Sequence, residues 1–76
     1  MRRYFFDFVG QERCAYDYHG RDLSTPENAY ELAELIALDL GIEENDEWTG
    51  WSVNVRNAEG REFFSVPVQS SYLAAA

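Results

Sequence analysis

The sequence predicts an α+β domain with the element order β-β-α-β-β: a four-stranded, mostly antiparallel sheet with one helix packed on one face. Three observations carry that prediction. Ser24 to Leu40 is the one segment with a clear helical period, and Arg3 to Val9 is an aromatic run with period two. Two further runs, Trp51 to Arg56 and Arg61 to Val68, flank the turn residues Asn57 to Gly60.

Arg3 to Val9 alternates so that Tyr4, Phe6 and Phe8 share one face, which should meet the helix, while Phe5 and Asp7 share the other. Gly10 to Glu12 make a short connection. Arg13 to Tyr18 reads as the returning strand of a hairpin, and His19 and Gly20 turn the chain toward Asp22 and Leu23. The helix then starts near Pro26, because Pro at the first helical position loses no bond, Ser24 offers a capping hydroxyl and Glu27 completes a capping box on it. Ala29, Leu32, Ala33, Ile36 and Leu40 fall in one arc of roughly 100°, with Glu27, Glu31 and Glu34 opposite. Leu38 projects into the acidic face and Leu35 lies on its flank. Gly41 is placed to end the helix in the left-handed conformation, which gives about 15 residues and about 22 Å.

Ile42 to Gly50 is too acidic and too poor in periodic apolar residues to be regular, and reads as a surface loop. Trp51, Val53 and Val55 then alternate with Ser52, Asn54 and Arg56, which predicts one buried and one wet face. In the last strand Phe64, Val66 and Val68 point inward and Phe63, Ser65 and Pro67 outward. Pro67 marks an edge strand or the end of pairing. Residues 1–68 form the domain and 69–76 a tail without pattern.

At 76 residues the chain is one domain with a small core. A single cysteine, Cys14, excludes an internal disulfide framework and points to a reducing compartment. The N-terminal aromatics are too few and too interrupted for a signal peptide, and no run approaches the ~18 apolar residues of a membrane span, so a cytoplasmic domain is expected. Fourteen Asp and Glu stand against six Lys and Arg, a formal net charge of −8. Nucleic-acid affinity depends on basic residues that release counterions, so a nucleic-acid partner is not expected.

Arg3-Tyr4-Phe5-Phe6, Gly10, Asp17 with Gly20 and Asp22-Leu23, Ala29 and Ala33, and the hairpin residues Val55, Gly60 and Val66-Pro67 together carry a likeness. The chain resembles a family of short bacterial proteins of unknown function with a "RYFF"-like first strand, a "D-x-x-G-x-[DE]-L" turn, a single alanine-bearing helix and a "V-x-D-x-x-G" hairpin. The resemblance covers Arg3 to Val68 and implies the fold, but no activity. The chain departs from the family pattern at Tyr18 and His19, where the family is acidic, and at Asn57, where it often has Asp. A shared acidic ligand site therefore does not follow.

Cys14 and His19, the only thiol and imidazole, invite a nucleophile-base reading, but five residues of extended chain hold them apart. Asp17, His19 and Asp22 are metal-ligating types at a spacing that matches no metal motif, and the acids from Glu43 to Glu47 lack the spacing of a calcium loop. Gly10, Gly20, Gly41, Gly50 and Gly60 are scattered and form no phosphate-cradling loop. No catalytic, cofactor or metal residues are assigned, and no enzymatic function is expected.

The expected function is protein binding or homo-oligomerisation through the uncovered sheet face or a strand edge. The candidate interface is Phe5, Phe63, Arg56 and Leu38, and the partner is a protein or a second copy in a homodimer. An alternative is an antitoxin-like or nucleic-acid-mimicking acidic regulator that contacts a basic protein through Glu27, Glu31, Glu34 and the Glu43 to Glu47 loop. A further alternative is a small metal-dependent or thiol enzyme using Asp17, His19, Asp22 and Cys14.

Overall fold

Strand β1 (Arg2–Val9) is the centre of the sheet, since three of the other four strands pair with it. The computed structural model describes residues 1–43 and 47–69. On one side β1 pairs antiparallel with β4 (Ser52–Asn57), from Tyr4 opposite Asn57 to Val9 opposite Ser52. On its other side two short strands share its length: β2 (Cys14–Ala15) against Phe8 and Val9, and β3 (Arg21–Leu23) against Arg2 to Tyr4. Strand β5 (Glu62–Pro67) pairs with β4 and forms the far edge. The protein is thus α+β, with one helix on an antiparallel sheet of five strands among the described residues.

The strand expected from Arg13 to Tyr18 is cut to two residues, and Arg21–Leu23, expected only to lead into the helix, pairs as an additional strand. Asp17 supplies the physical reason. Its carboxylate takes the place of a main-chain acceptor for the Phe6 N–H, so the chain can leave the ladder between β2 and β3 without orphaning that amide. Main-chain pairing at β3 needs no apolar alternation, and the sequence there carries no period to betray it.

Helix α1 (Pro26–Gly41) begins as expected at Pro26, but its cap is Thr25 rather than Ser24: the Thr25 Oγ1 accepts from the Asn28 N–H at 3.1 Å. Glu27 consequently sits in the first turn, where the helix dipole favours it. Gly41 is not a left-handed cap; it is the last helical residue, and the cap Ile42 has φ −90°. Its role is close approach, because a Cβ there would collide with the Gln69 carbonyl oxygen. Ala29, Ala33, Ala37 and Gly41 form a buried row of small residues that lets α1 lie close on Val53 and Val55, both fully buried. Leu32, Ile36 and Leu40 pack into the core along one flank of that row, with Ile36 beside Phe6 and Phe8. Along the other flank Tyr30, Glu34 and Leu38 face β5.

Tyr4, Phe6 and Phe8 meet the helix side as expected, and Trp48 closes that end of the core against Phe8 and Trp51, with ring centroids 5.7 and 4.9 Å away. Phe63 departs from expectation. The β4–β5 register shifts between Val55 and Arg56, so that Phe64 lies opposite Val55 but Glu62 lies opposite Arg56, and Phe63 is the extra residue of a bulge. Its ring turns to the helix side and packs on Tyr4 at 5.7 Å and Phe64 at 4.8 Å, rather than standing on the open face. The β4–β5 turn is as read: Asn57 Oδ1 accepts from the Glu59 and Arg61 amides, and the Gly60 amide donates to the Asn57 carbonyl. Residues 44–46 of the acidic loop and 70–76 of the tail lie outside the described residues. No helix is long and apolar enough to cross a membrane among the described residues.

Candidate functional site

The sheet face away from α1 is where the sequence places an uncovered patch, and its side chains are bound to one another. Asp7, on that face, is 4% exposed. Arg56 reaches it diagonally across the β1–β4 pair, donating from Nε to Oδ2 at 2.9 Å and from Nη2 to Oδ1 at 3.2 Å. The same guanidinium donates to the Asp17 carbonyl at 3.1 Å and lies 4.7 Å over the Phe5 ring. The Asp7 carboxylate holds Arg56 above its ordinary pKa, against the opposing effect of desolvation. Beside this cluster Asn54 Oδ1 accepts from the Ser52 and Ser65 hydroxyls.

Asp7 also holds the chain where it leaves the sheet, by accepting from the Asp17 amide at 2.9 Å. Asp17 in turn accepts from the Phe6, His19 and Gly20 amides at 3.0 to 3.2 Å. Burial raises the Asp17 pKa, but the three amides from Gly20, Phe6 and His19 outweigh it and hold the carboxyl below its usual value. Gly20 is fitted to this turn by its φ of 72°, where an L side chain is strained. Arg3 finishes the fastening with a bidentate pair to Asp22 and a donated bond to the His19 carbonyl.

This arrangement answers where the metal and thiol candidates stand. Asp17 is engaged by main-chain amides and Asp22 by Arg3, while His19 contributes its backbone and leaves an exposed ring. Cys14 is exposed on β2, and the nearby thiol raises the pKa of Tyr16 above its ordinary value. Among the described residues Cys14 and His19 share no hydrogen bond, and no group of three His, Cys, Asp or Glu side chains is placed to hold a metal ion.

Of the four candidate interface residues, three are engaged inside the protein. Phe5 is half-buried under Arg56, Arg56 is bound to Asp7, and Phe63 is in the bulge on the helix side. Leu38 stands outside, 68% exposed, and with Leu35 and Ile42, each 60% exposed, it forms a stripe at i, i+3 and i+7. Leu35 and Leu38 are legible from the helical period, and the cap residue Ile42 extends their stripe just past the last helical residue. Next to the stripe runs a groove between α1 and β5. One part, of about 310 Å³, is lined by Glu34, Leu38, Val66 and Pro67; the adjoining part, of about 350 Å³, by Glu27, Glu31, Glu34 and Phe64, with Tyr30 shared by both. Tyr30 packs on Phe64 at 4.8 Å. Glu27, Glu31 and Glu34 make no ion pair among the described residues, and residues 44–46 and 70–76 contain no Lys, Arg or His.

The model of the family described as a domain of unknown function (DUF6894) matches residues 3–69. The chain belongs to this family. The matched span takes in the helix, the fastening at Asp7 and Asp17, and all of the sheet but Arg2. Neither a curated protein nor a solved structure matches the chain.

Proposed function

We propose that this DUF6894 domain is a non-catalytic protein-binding unit whose docking surface is the outer side of α1 together with the β5 edge. The observation that carries the reading is the unpartnered apolar stripe of Leu35, Leu38 and Ile42. Single exposed leucines are ordinary, but three aliphatic side chains in register beside a groove floored by Tyr30, Phe64 and Val66 favour an interface. Self-association through Phe5 and Phe63 is not retained, because the bulge puts those rings on opposite sides of the sheet. The acidic-regulator reading keeps one supporting observation: Glu27, Glu31 and Glu34 line the same groove without a basic counterpart.

Photo-cross-linking tests the proposal. A photoreactive phenylalanine analogue at position 38 is expected to yield a discrete protein adduct in cells of the native host, and the same analogue at position 12, across the molecule, none. No adduct from position 38, or equal adducts from both positions, would contradict the reading.

A further inference from the structure

The groove between α1 and β5 points to the chemistry of its occupant. Val68 donates its N–H to the Trp51 carbonyl, so the bonded pairs of the β4–β5 ladder continue at Val66 with Val53 and at Phe64 with Val55. The main-chain groups of Ser65 and Pro67 therefore point away from β4, to the edge where no strand pairs among the described residues. Pro67 lacks an N–H on that outward side, which costs the sheet nothing and leaves a short landing of two acceptors and one donor. Tyr30, 38% exposed, and Glu34 line the groove beside Pro67, and Glu27 and Glu31 line its adjoining part beside Phe64.

We propose that the groove binds an extended, basic segment of a partner protein, which adds a strand to β5 and sets alternate Arg or Lys side chains against Glu27, Glu31 and Glu34. One spacing agrees closely: Glu27 and Glu31 are four helical residues apart, about 6 Å along the axis, and alternate residues of an added strand are about 6.7 Å apart, while Glu34, about 4.5 Å beyond Glu31, is met by the reach of a long Arg or Lys side chain. Tyr30 gives an arginine a ring face at the centre of the row. Charge excludes a second copy as the occupant, because β5-to-β5 pairing would bring two such carboxylate rows to one junction in a chain of net charge −8. The inference rests on the proposed docking surface but names its partner class, and the two fail separately. A cross-link at position 38 without peptide binding would leave the surface standing and remove the basic strand.

The test is titration calorimetry with a capped nine-residue peptide that alternates arginine and valine. Binding is expected, weakening at least tenfold between 50 and 300 mM salt. The Glu31→Arg, Glu34→Arg variant is expected to lose at least tenfold in affinity. The Glu12→Arg, Glu47→Arg variant makes the same change in formal charge, from −8 to −4 by two substitutions of +2 each, and is expected to lose less than about threefold. A peptide of equal charge with proline at every third position, which cannot form a ladder, is expected to bind at least tenfold more weakly. Equal losses from the two arginine variants, or equal binding of the proline peptide, would overturn the proposal. A tenfold gain in peptide affinity on removal of residues 70–76 would also overturn it, by making that segment the occupant.

Discussion

On the split edge of the sheet Asp17 accepts from three amides and Asp7 from a guanidinium and an amide, whereas across the molecule Glu27, Glu31 and Glu34 face a groove with no basic partner. Both regions are acidic, and both sit beside a strand edge. At the first, carboxylates substitute for the missing length of β2 and β3, and they close the gap that a broken edge strand leaves in the ladder. At the second, the strand is continuous but its outward main chain is unpaired among the described residues, and the carboxylates make no ion pair with the fold that they border. Net charge alone hides this division. One set of acids builds the domain, and the other makes no ion pair and lines the surface proposed for docking.

The comparison breaks most easily at Arg56. Arg56→Ala leaves Asp7 buried as an uncompensated charge, and is expected to cost about 3–5 kcal/mol, a large share of the stability of so small a domain. Urea denaturation followed by tryptophan fluorescence measures it. Adding Asp7→Asn to that variant is expected to restore part of the loss, because a neutral amide carries no buried charge and its oxygen can still accept from the Asp17 amide. A cost under about 0.5 kcal/mol for Arg56→Ala would mean that the cluster on the sheet face is not structural.

Asp17→Asn sharpens the same side of the comparison. One acceptor oxygen becomes a donor, so either the Phe6 amide or the His19 and Gly20 pair loses its partner, at about 1–3 kcal/mol. The folded pKa of Asp17 is depressed below the usual 3.8, so its contribution is fully present above that value and is lost as pH falls through the lower folded pKa. The stability difference between wild type and Asp17→Asn should therefore be flat at neutral pH and shrink in acid below about pH 4. A difference that grew on acidification would contradict the assignment.

The α1/β5 side should respond least. Glu31→Gln removes a like-charge neighbour four residues from Glu27, and is expected to change stability by no more than about 0.5 kcal/mol, in the stabilising direction. A loss above 1 kcal/mol would show that the groove acids also hold the fold together, and the contrast between the two sides would disappear.

Much of this architecture is legible in the sequence, for identifiable reasons. The helix start at Pro26, the inward row of Tyr4, Phe6 and Phe8, and the Asn57 to Gly60 turn follow from local patterns that tertiary contacts do not disturb. What escapes is set by single long-range contacts. The split of the edge strand depends on Asp17 meeting the Phe6 amide eleven positions earlier. The burial of Asp7 depends on Arg56, forty-nine positions later. The bulge that turns Phe63 inward breaks the period-two rule on which its outward assignment rests. Gly41 shows the same limit from another direction: a glycine after a helical run signals a cap, yet here it makes room for Gln69. In the candidate interface, Leu38 is legible because exposure on a helix follows from period alone, while Phe5 and Arg56 are not, because each covers the other.

The most direct measurement of the division between the two sides is a ¹H–¹⁵N NMR titration of the domain with the alternating arginine–valine peptide. The account predicts shift changes concentrated in Tyr30 to Leu38 and Phe63 to Ser65, with the amides of Phe6, Asp7, Asp17 and Asn54 unmoved. Changes centred on those four amides, or spread evenly over the surface, would contradict it.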